Sequence, residues 1–249
     1  MSFGTILDES FTYAKNGIWG KWERWALLII SLVIFPLIFG YIVRIYRGEN
    51  PAPELNEWTT MFIDGLKLIA VALVYAIPVI ILVIVAFVPF ISAIMSTGTA
   101  STDFASMSST QLEQWMTSNP QVMAAAGQMV ILLVIAAIIA VIISIFSFTG
   151  LVRFARTQKM GEGFNFSAIL SHVGKIGWFT YIAALIIIGI IGLIFGMLLN
   201  TLTYVPVIGQ ALFFAVMLVV YPPYLLFVGR YTVQIYELGL VNSPTEITQ

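Results

Sequence analysis

GYIVRIYRGENPAPELNEWTTMFIDGLK, residues Gly40–Lys67, decides how this chain is read. It begins as a helix end carrying Arg44 and Arg47. Pro51 and Pro53 then remove two backbone donors and fix φ, so no helix runs through them. An amphipathic segment follows. Leu55, Trp58, Phe62, Leu66 and Ile69 share one face, while Glu54, Glu57, Asp64 and Lys67 lie largely off it. The segment passes directly into a long apolar helix.

The chain around this stretch has 249 residues, 60% of them hydrophobic and 9% charged, with a mean hydropathy of +0.99. Soluble domains are nearer a quarter charged, so the fold class is an all-α integral membrane protein. A net charge of −1 gives no reason to expect a nucleic-acid partner. The absence of Cys excludes disulfides, thiolate metal sites and a Cys nucleophile. His172, the single His, cannot form a multi-His metal site. The opening MSFGTILDESFTYAKNG lacks a basic stretch leading into an apolar one, so it is not expected to be a cleaved signal.

Residues 3–25 read as an amphipathic helix with Leu7, Phe11, Ala14, Ile18, Trp22 and Trp25 on one face. Its tryptophans suit the headgroup layer of a bilayer. Residues 26–46 are apolar with Pro36 at their middle. Four full spans are expected at 68–95, 122–152, 176–199 and 210–236. Pro78 and Pro89, and the Pro222-Pro223 pair, are expected to break or kink the helices that carry them. Residues 96–121 form a Ser/Thr-rich polar loop with a short helix around Thr110–Thr117. Phe164–Lys175 forms another amphipathic helix, with Phe166, Ile169, Leu170, Val173 and Ile176 on one face and His172 as a solvated polar residue. The tail SPTEITQ reads as disordered.

Self-similarity is the strongest organising signal. Tyr41-Ile-Val-Arg-Ile-Tyr-Arg47 aligns with Tyr231-Thr-Val-Gln-Ile-Tyr-Glu237, with four of seven positions identical. Leu151-Val-Arg-Phe-Ala-Arg156 fits the same frame. A single membrane domain, 1–249, therefore divides into three internal units, 3–48, 54–157 and 164–238. Each unit is an interfacial amphipathic helix, an apolar hairpin and an exit helix. In the first unit only Trp25–Tyr46 are available for the hairpin. A half-helix of about 10 residues reaches about 15 Å, half of a bilayer core. The expected form is a short N-terminal re-entrant hairpin turning at Pro36. With it, all eleven Lys and Arg fall on one side, which is the cytoplasm by the positive-inside rule, and both termini lie there. The alternative is five spans, in which residues 26–46 cross.

Arg44, Arg47, Arg153, Arg156 and Arg230 sit at helix ends. They read either as snorkelling anchors or as a cytoplasmic rim that binds lipid headgroups or pairs with Glu54, Glu57 and Asp64. Gly192 and Gly196, like Ala136 and Ala140, are spaced for close helix packing, within one subunit or between two. No charged residue lies near the midplane of a span, which argues against a pump or coupled transporter. No paired carboxylates, phosphate loop or Ser/His/Asp set is present. The chain is expected to be no enzyme and to need no metal or cofactor.

The stretch Gly40–Pro78 resembles the signature of an uncharacterised prokaryotic membrane-protein family, well represented in archaea and known as a domain of unknown function. The matching residues are Gly40, Tyr41 and Arg44; Pro51, Pro53, Glu54 and Trp58; Phe62, Gly65, Leu66 and Lys67; Tyr75 and Pro78. Leu55-Asn56-Glu57 departs from the family's P-E-W run. The resemblance implies an integral membrane protein without an assigned activity. The residues themselves point to an oligomeric scaffold of the cell membrane, with membrane lipids as partners, that organises or shapes the bilayer. An uncoupled channel beside Tyr221-Pro-Pro-Tyr224 and an accessory subunit of a larger complex are the alternatives.

Overall fold

A computed structural model describes residues 2–98 and 106–241. The tail 243–249 and residues 99–105 of the polar loop lie outside them. Among the described residues the chain is helical, with no strand. Helix α1 spans Phe3–Ile18 and is capped by Ser2, whose Oγ accepts from the Thr5 N–H at 3.2 Å. Gly20, at φ +76°, turns the chain into α2, Trp22–Val33. The single helix expected over 3–25 is thus two. The face that α1 turns to the rest of the protein is Ile6, Ser10, Tyr13, Ala14, Gly17 and Ile18, while Phe11 is 63% exposed. Small residues at 10, 14 and 17 let α1 lie close on its neighbour. A methyl group at Gly17 would stand 2.7 Å from the Leu226 side chain.

Ile34 leaves helical geometry and separates α2 from α3, Phe35–Tyr46. Pro36 follows at the start of α3, where a missing N–H costs nothing, and its ring disfavours helix in the residues before it. The expected break at Pro36 is therefore present. Helices α2 and α3 pack on each other. Val33, Ile34 and Phe35 at their junction are all apolar and exposed.

Helix α4 spans Trp58–Ser96, so the amphipathic segment after Pro53 is the opening of this helix rather than a helix of its own. Helix α5, Ser109–Ser118, starts with a reciprocal cap between Ser108 and Gln111, close to the expected position. Helix α6 spans Pro120–Thr157, and a 3-10 turn, Met160–Phe164, leads to α7, Phe166–Ile176. Helix α8 spans Trp178–Thr201, a second 3-10 turn covers Leu202–Tyr204, and α9 spans Gly209–Val241. Four helical segments, Trp58–Ser96, Pro120–Thr157, Trp178–Tyr204 and Gly209–Val241, are long and apolar enough to cross a membrane. This fits a multi-pass membrane protein.

Helix α4 runs through Pro78 and Pro89, and α9 through Pro222-Pro223, without interruption. In α9 the reason is visible. Pro223 has no N–H to give the Val219 carbonyl four residues earlier. The Trp25 indole N–H donates to that carbonyl instead, at 2.9 Å. A freed carbonyl with a side-chain partner lets a helix carry proline in apolar surroundings.

The described residues of 1–72 and 144–249 form one compact unit, and 73–143 form another. These units do not coincide with the three sequence repeats, since their boundaries cut α4 and α6. The second unit holds the later part of α4, α5 and most of α6. There Ala136 is buried and Ala140 half-buried. The first unit holds two apolar clusters. One joins Tyr13, Leu28, Ile38, Tyr41, Met61 and Leu226, and the other joins Ile6, Ile169, Val173, Tyr181, Tyr231 and Ile235. Helix α9 belongs to both and packs against α1, α2, α3, α7 and α8.

Candidate functional site

The three repeated motifs meet in the first compact unit. Tyr41, Val43 and Ile45, then Val152, Phe154 and Ala155, then Tyr231, Val233 and Ile235 are each at most 2% exposed. A helix surrounded by others must be apolar nearly all round, which explains these unbroken runs. The polar residues among them must find partners inside the protein.

Arg44 is buried and forks across the loop before α4. It donates to the Glu54 carbonyl at 2.9 Å, to Asn56 Oδ1 at 2.6 Å and to the Asn56 carbonyl at 2.8 Å, with Glu57 at 3.5 Å. Arg47 pairs with Asp64 at 2.5 Å and donates to the Ala155 carbonyl at 3.3 Å. Arg156 answers by donating to the Tyr46 carbonyl at 3.2 Å and to Glu237 at 2.7 Å. Its guanidinium also lies 5.0 Å from the Tyr236 ring centre. Arg47 and Arg156 thus fill carbonyls in each other's last helical turn. Those carbonyls lack intrahelical partners and carry the negative end of the helix dipole. Arg153 is held by Glu162 of the following 3-10 turn, with Nε at 2.8 Å. That pairing keeps the Glu162 carboxyl below its ordinary pKa.

Gln234 occupies the place of Arg44 and Arg153 in the third copy. Its partner is Glu9 on α1, at 3.0 Å, and Ser10 donates to its Oε1 at 3.4 Å. The first two copies bind the segment that follows them in the chain, and the third binds the first helix. The arrangement is therefore closed into a ring. Glu237 stands where the other copies carry arginine. This reversal of sign makes the pair with Arg156 possible.

Of the five arginines singled out from sequence, four are joined to one another's helices or to acidic residues. Arg230 makes no ion pair among the described residues. It lies 5.6 Å from the Tyr13 ring centre and lines a polar cleft of about 470 Å³ with Asp8, Glu9, Asn16 and Asn50. The expected pairs with Glu57 and Asp64 are present, while Glu54 is used through its carbonyl. The glycines expected at close contacts divide. A methyl at Gly192 would meet the Tyr224 hydroxyl at 3.2 Å, but one at Gly196 would meet nothing within 4 Å. Two unpredicted glycine contacts are far tighter. A methyl at Gly40 would stand 1.7 Å from the Met61 carbonyl oxygen, and one at Gly65 would stand 1.8 Å from that of Pro36.

His172 is a correction. It is buried, its ring stacks on Tyr236 at 4.0 Å, and Nε2 donates to the Tyr236 carbonyl at 2.9 Å. Burial lowers its pKa, and Lys175, Arg153 and Arg156 add to the effect. Its position beside the apolar Val173 and Ile176 was the available signal. Among the described residues no set of three or more His, Asp and Glu is placed to hold a metal, and no buried side-chain polar atom lacks a partner. Arg44, Arg47, Arg153, Arg156 and Gln234 all serve to fasten one segment of the chain to another.

No curated protein and no solved structure matches the chain. A family model does match, over residues 25–204, well beyond the stretch that carried the resemblance. The chain belongs to the family described as "Protein of unknown function (DUF4013)".

Proposed function

We propose that this protein is a non-enzymatic membrane scaffold that works as a homo-oligomer and organises lipid in one leaflet. One observation carries the reading. Both ends of the α2–α3 pair are tied to the same loop: Arg24 donates to the Ala52 carbonyl at 3.2 Å, Tyr41 to that of Pro53 at 3.0 Å, and Arg44 to that of Glu54. A chain that leaves from and returns to one loop supports a hairpin that enters the bilayer without crossing it. The exposed apolar tip, Val33 to Phe35, suits lipid and not water. Both termini then belong on the cytoplasmic side with the arginine network.

The packing supports the same reading. The four spanning segments bury only 6% to 17% of their most apolar windows within the chain. Their surfaces are left for lipid and for other copies, whereas the polar network is tightly bonded. Amphipathic helices and a wedge that load one leaflet are the physical means of shaping a bilayer.

The decisive measurement is the mass of the full chain in mild detergent, by light scattering after gel filtration. An assembly of two or more copies is expected, and a strict monomer would overturn the scaffold. Sealed liposomes carrying the protein should hold their solutes. A leak abolished by replacing Tyr221, Pro222, Pro223 and Tyr224 with alanine would overturn it in favour of a channel.

A further inference from the structure

We infer that the groove between α1, α2, α8 and α9 is a specific lipid site, occupied by one acyl chain of an anionic phospholipid whose phosphate rests on Lys15. The inference deepens the scaffold reading and rests on its placement of α1 at the membrane surface. The groove measures about 460 Å³ and is lined almost wholly by apolar and aromatic side chains. That volume is typical of small-molecule sites, which run from about 300 to 1,000 Å³.

Three features separate it from an ordinary lipid-facing crevice. Its wall is fixed. Phe195 and Tyr224 stack with ring centres 4.0 Å apart and planes 4° apart, and Trp25 is pinned to the Val219 carbonyl. A rigid aromatic surface loses little conformational entropy when it takes up a chain. Its mouth has the amphiphile's own order. Phe11 and Lys15 on α1 and Trp19, its C-cap residue, follow one another, and all three line the groove. Trp19 continues into a row with Trp22 and Trp25, whose indoles lie 6.0 and 5.6 Å apart in turn. Such rings favour the headgroup layer. Finally, Lys15 is exposed and makes no ion pair among the described residues. An apolar slot ending in one uncommitted ammonium complements a hydrocarbon tail ending in a phosphate.

Native mass spectrometry of the full chain, with phosphatidylglycerol or phosphatidylcholine of matched chains, tests this. One phosphatidylglycerol should be retained in preference. Lys15→Gln should lower the preference about five-fold, the effect of roughly 1 kcal/mol per cation at an anionic headgroup. Val220→Trp, at a 37% exposed position on the groove, should weaken retention of both lipids. An unchanged headgroup ratio in Lys15→Gln, or undiminished binding in a Val220→Trp protein of normal thermal midpoint, overturns the site. Should that variant fail to fold, the wild type decides. Phosphatidylglycerol with brominated chains should quench its tryptophan fluorescence, and unbrominated phosphatidylglycerol should reverse the quench better than phosphatidylcholine. Equal reversal by the two lipids also overturns it. The same spectra count subunits: a monomer that keeps its lipid removes the scaffold alone, and an oligomer without lipid preference removes the site alone.

Discussion

Arg44 grips three oxygens of one loop from a buried position, so its loss strands a loop as well as a charge. Arg44→Ala should cost about 2–3 kcal/mol, the scale of charge-assisted hydrogen bonds, read as a lower thermal midpoint in detergent. Arg44→Lys should recover only part, because an ammonium cannot span a fork. His172 gives a pH signature. Burial lowers its folded pKa, so the stability that depends on neutral imidazole is complete above its unfolded value of about 6.5 and is lost as pH falls through the folded value. Wild type should therefore lose thermal stability below about pH 6.5 more steeply than His172→Gln. A parallel loss in both would place the titration elsewhere. The arginines were legible in the sequence as a repeated motif. Their partners Glu162 and Glu237 were not, because pairing over such distances follows from how the helices meet.

Among elements, the decisive contacts are backbone to backbone. Gly40 and Gly65 bring α3 and the start of α4 so close that no methyl fits between them. Gly40→Ala and Gly65→Ala should each prevent recovery of folded protein, while Gly196→Ala, with open space around it, should leave the monomer's thermal midpoint unchanged. Trp25 and Pro223 are coupled. Trp25→Phe unpairs the Val219 carbonyl and should cost about 1–3 kcal/mol. In a Pro223→Ala background the helix supplies its own N–H, so the same change should cost less, and a double-mutant cycle measures the difference. Strictly additive costs would show that the indole bond is incidental. The four long helices could be read from their apolar length, and Pro36 from its place between two short segments. The continuity of α9 through Pro222-Pro223 was not legible because a sequence shows the donor that proline removes but not the indole that replaces it. The protein-facing side of α1 was not legible because Ser10 and Gly17, poor markers of a core, are buried for their small size.

At the scale of the whole molecule, single cysteines introduced into this cysteine-free chain can report sidedness in sealed vesicles. Asn16→Cys and Lys159→Cys should react from the same side and Glu113→Cys from the other. Asn16→Cys reacting from the side opposite Lys159→Cys would make residues 26–46 a crossing span. The bond between Gln234 and Glu9 joins residues 225 positions apart. During synthesis, α1 emerges long before the segment that covers its inner face. Until α9 arrives, Ile6, Tyr13 and Ile18 on that face lack the partners that bury them. A chain interrupted upstream of Leu226 would therefore carry an uncovered first helix, open to proteases and recognisable to quality control as unfinished.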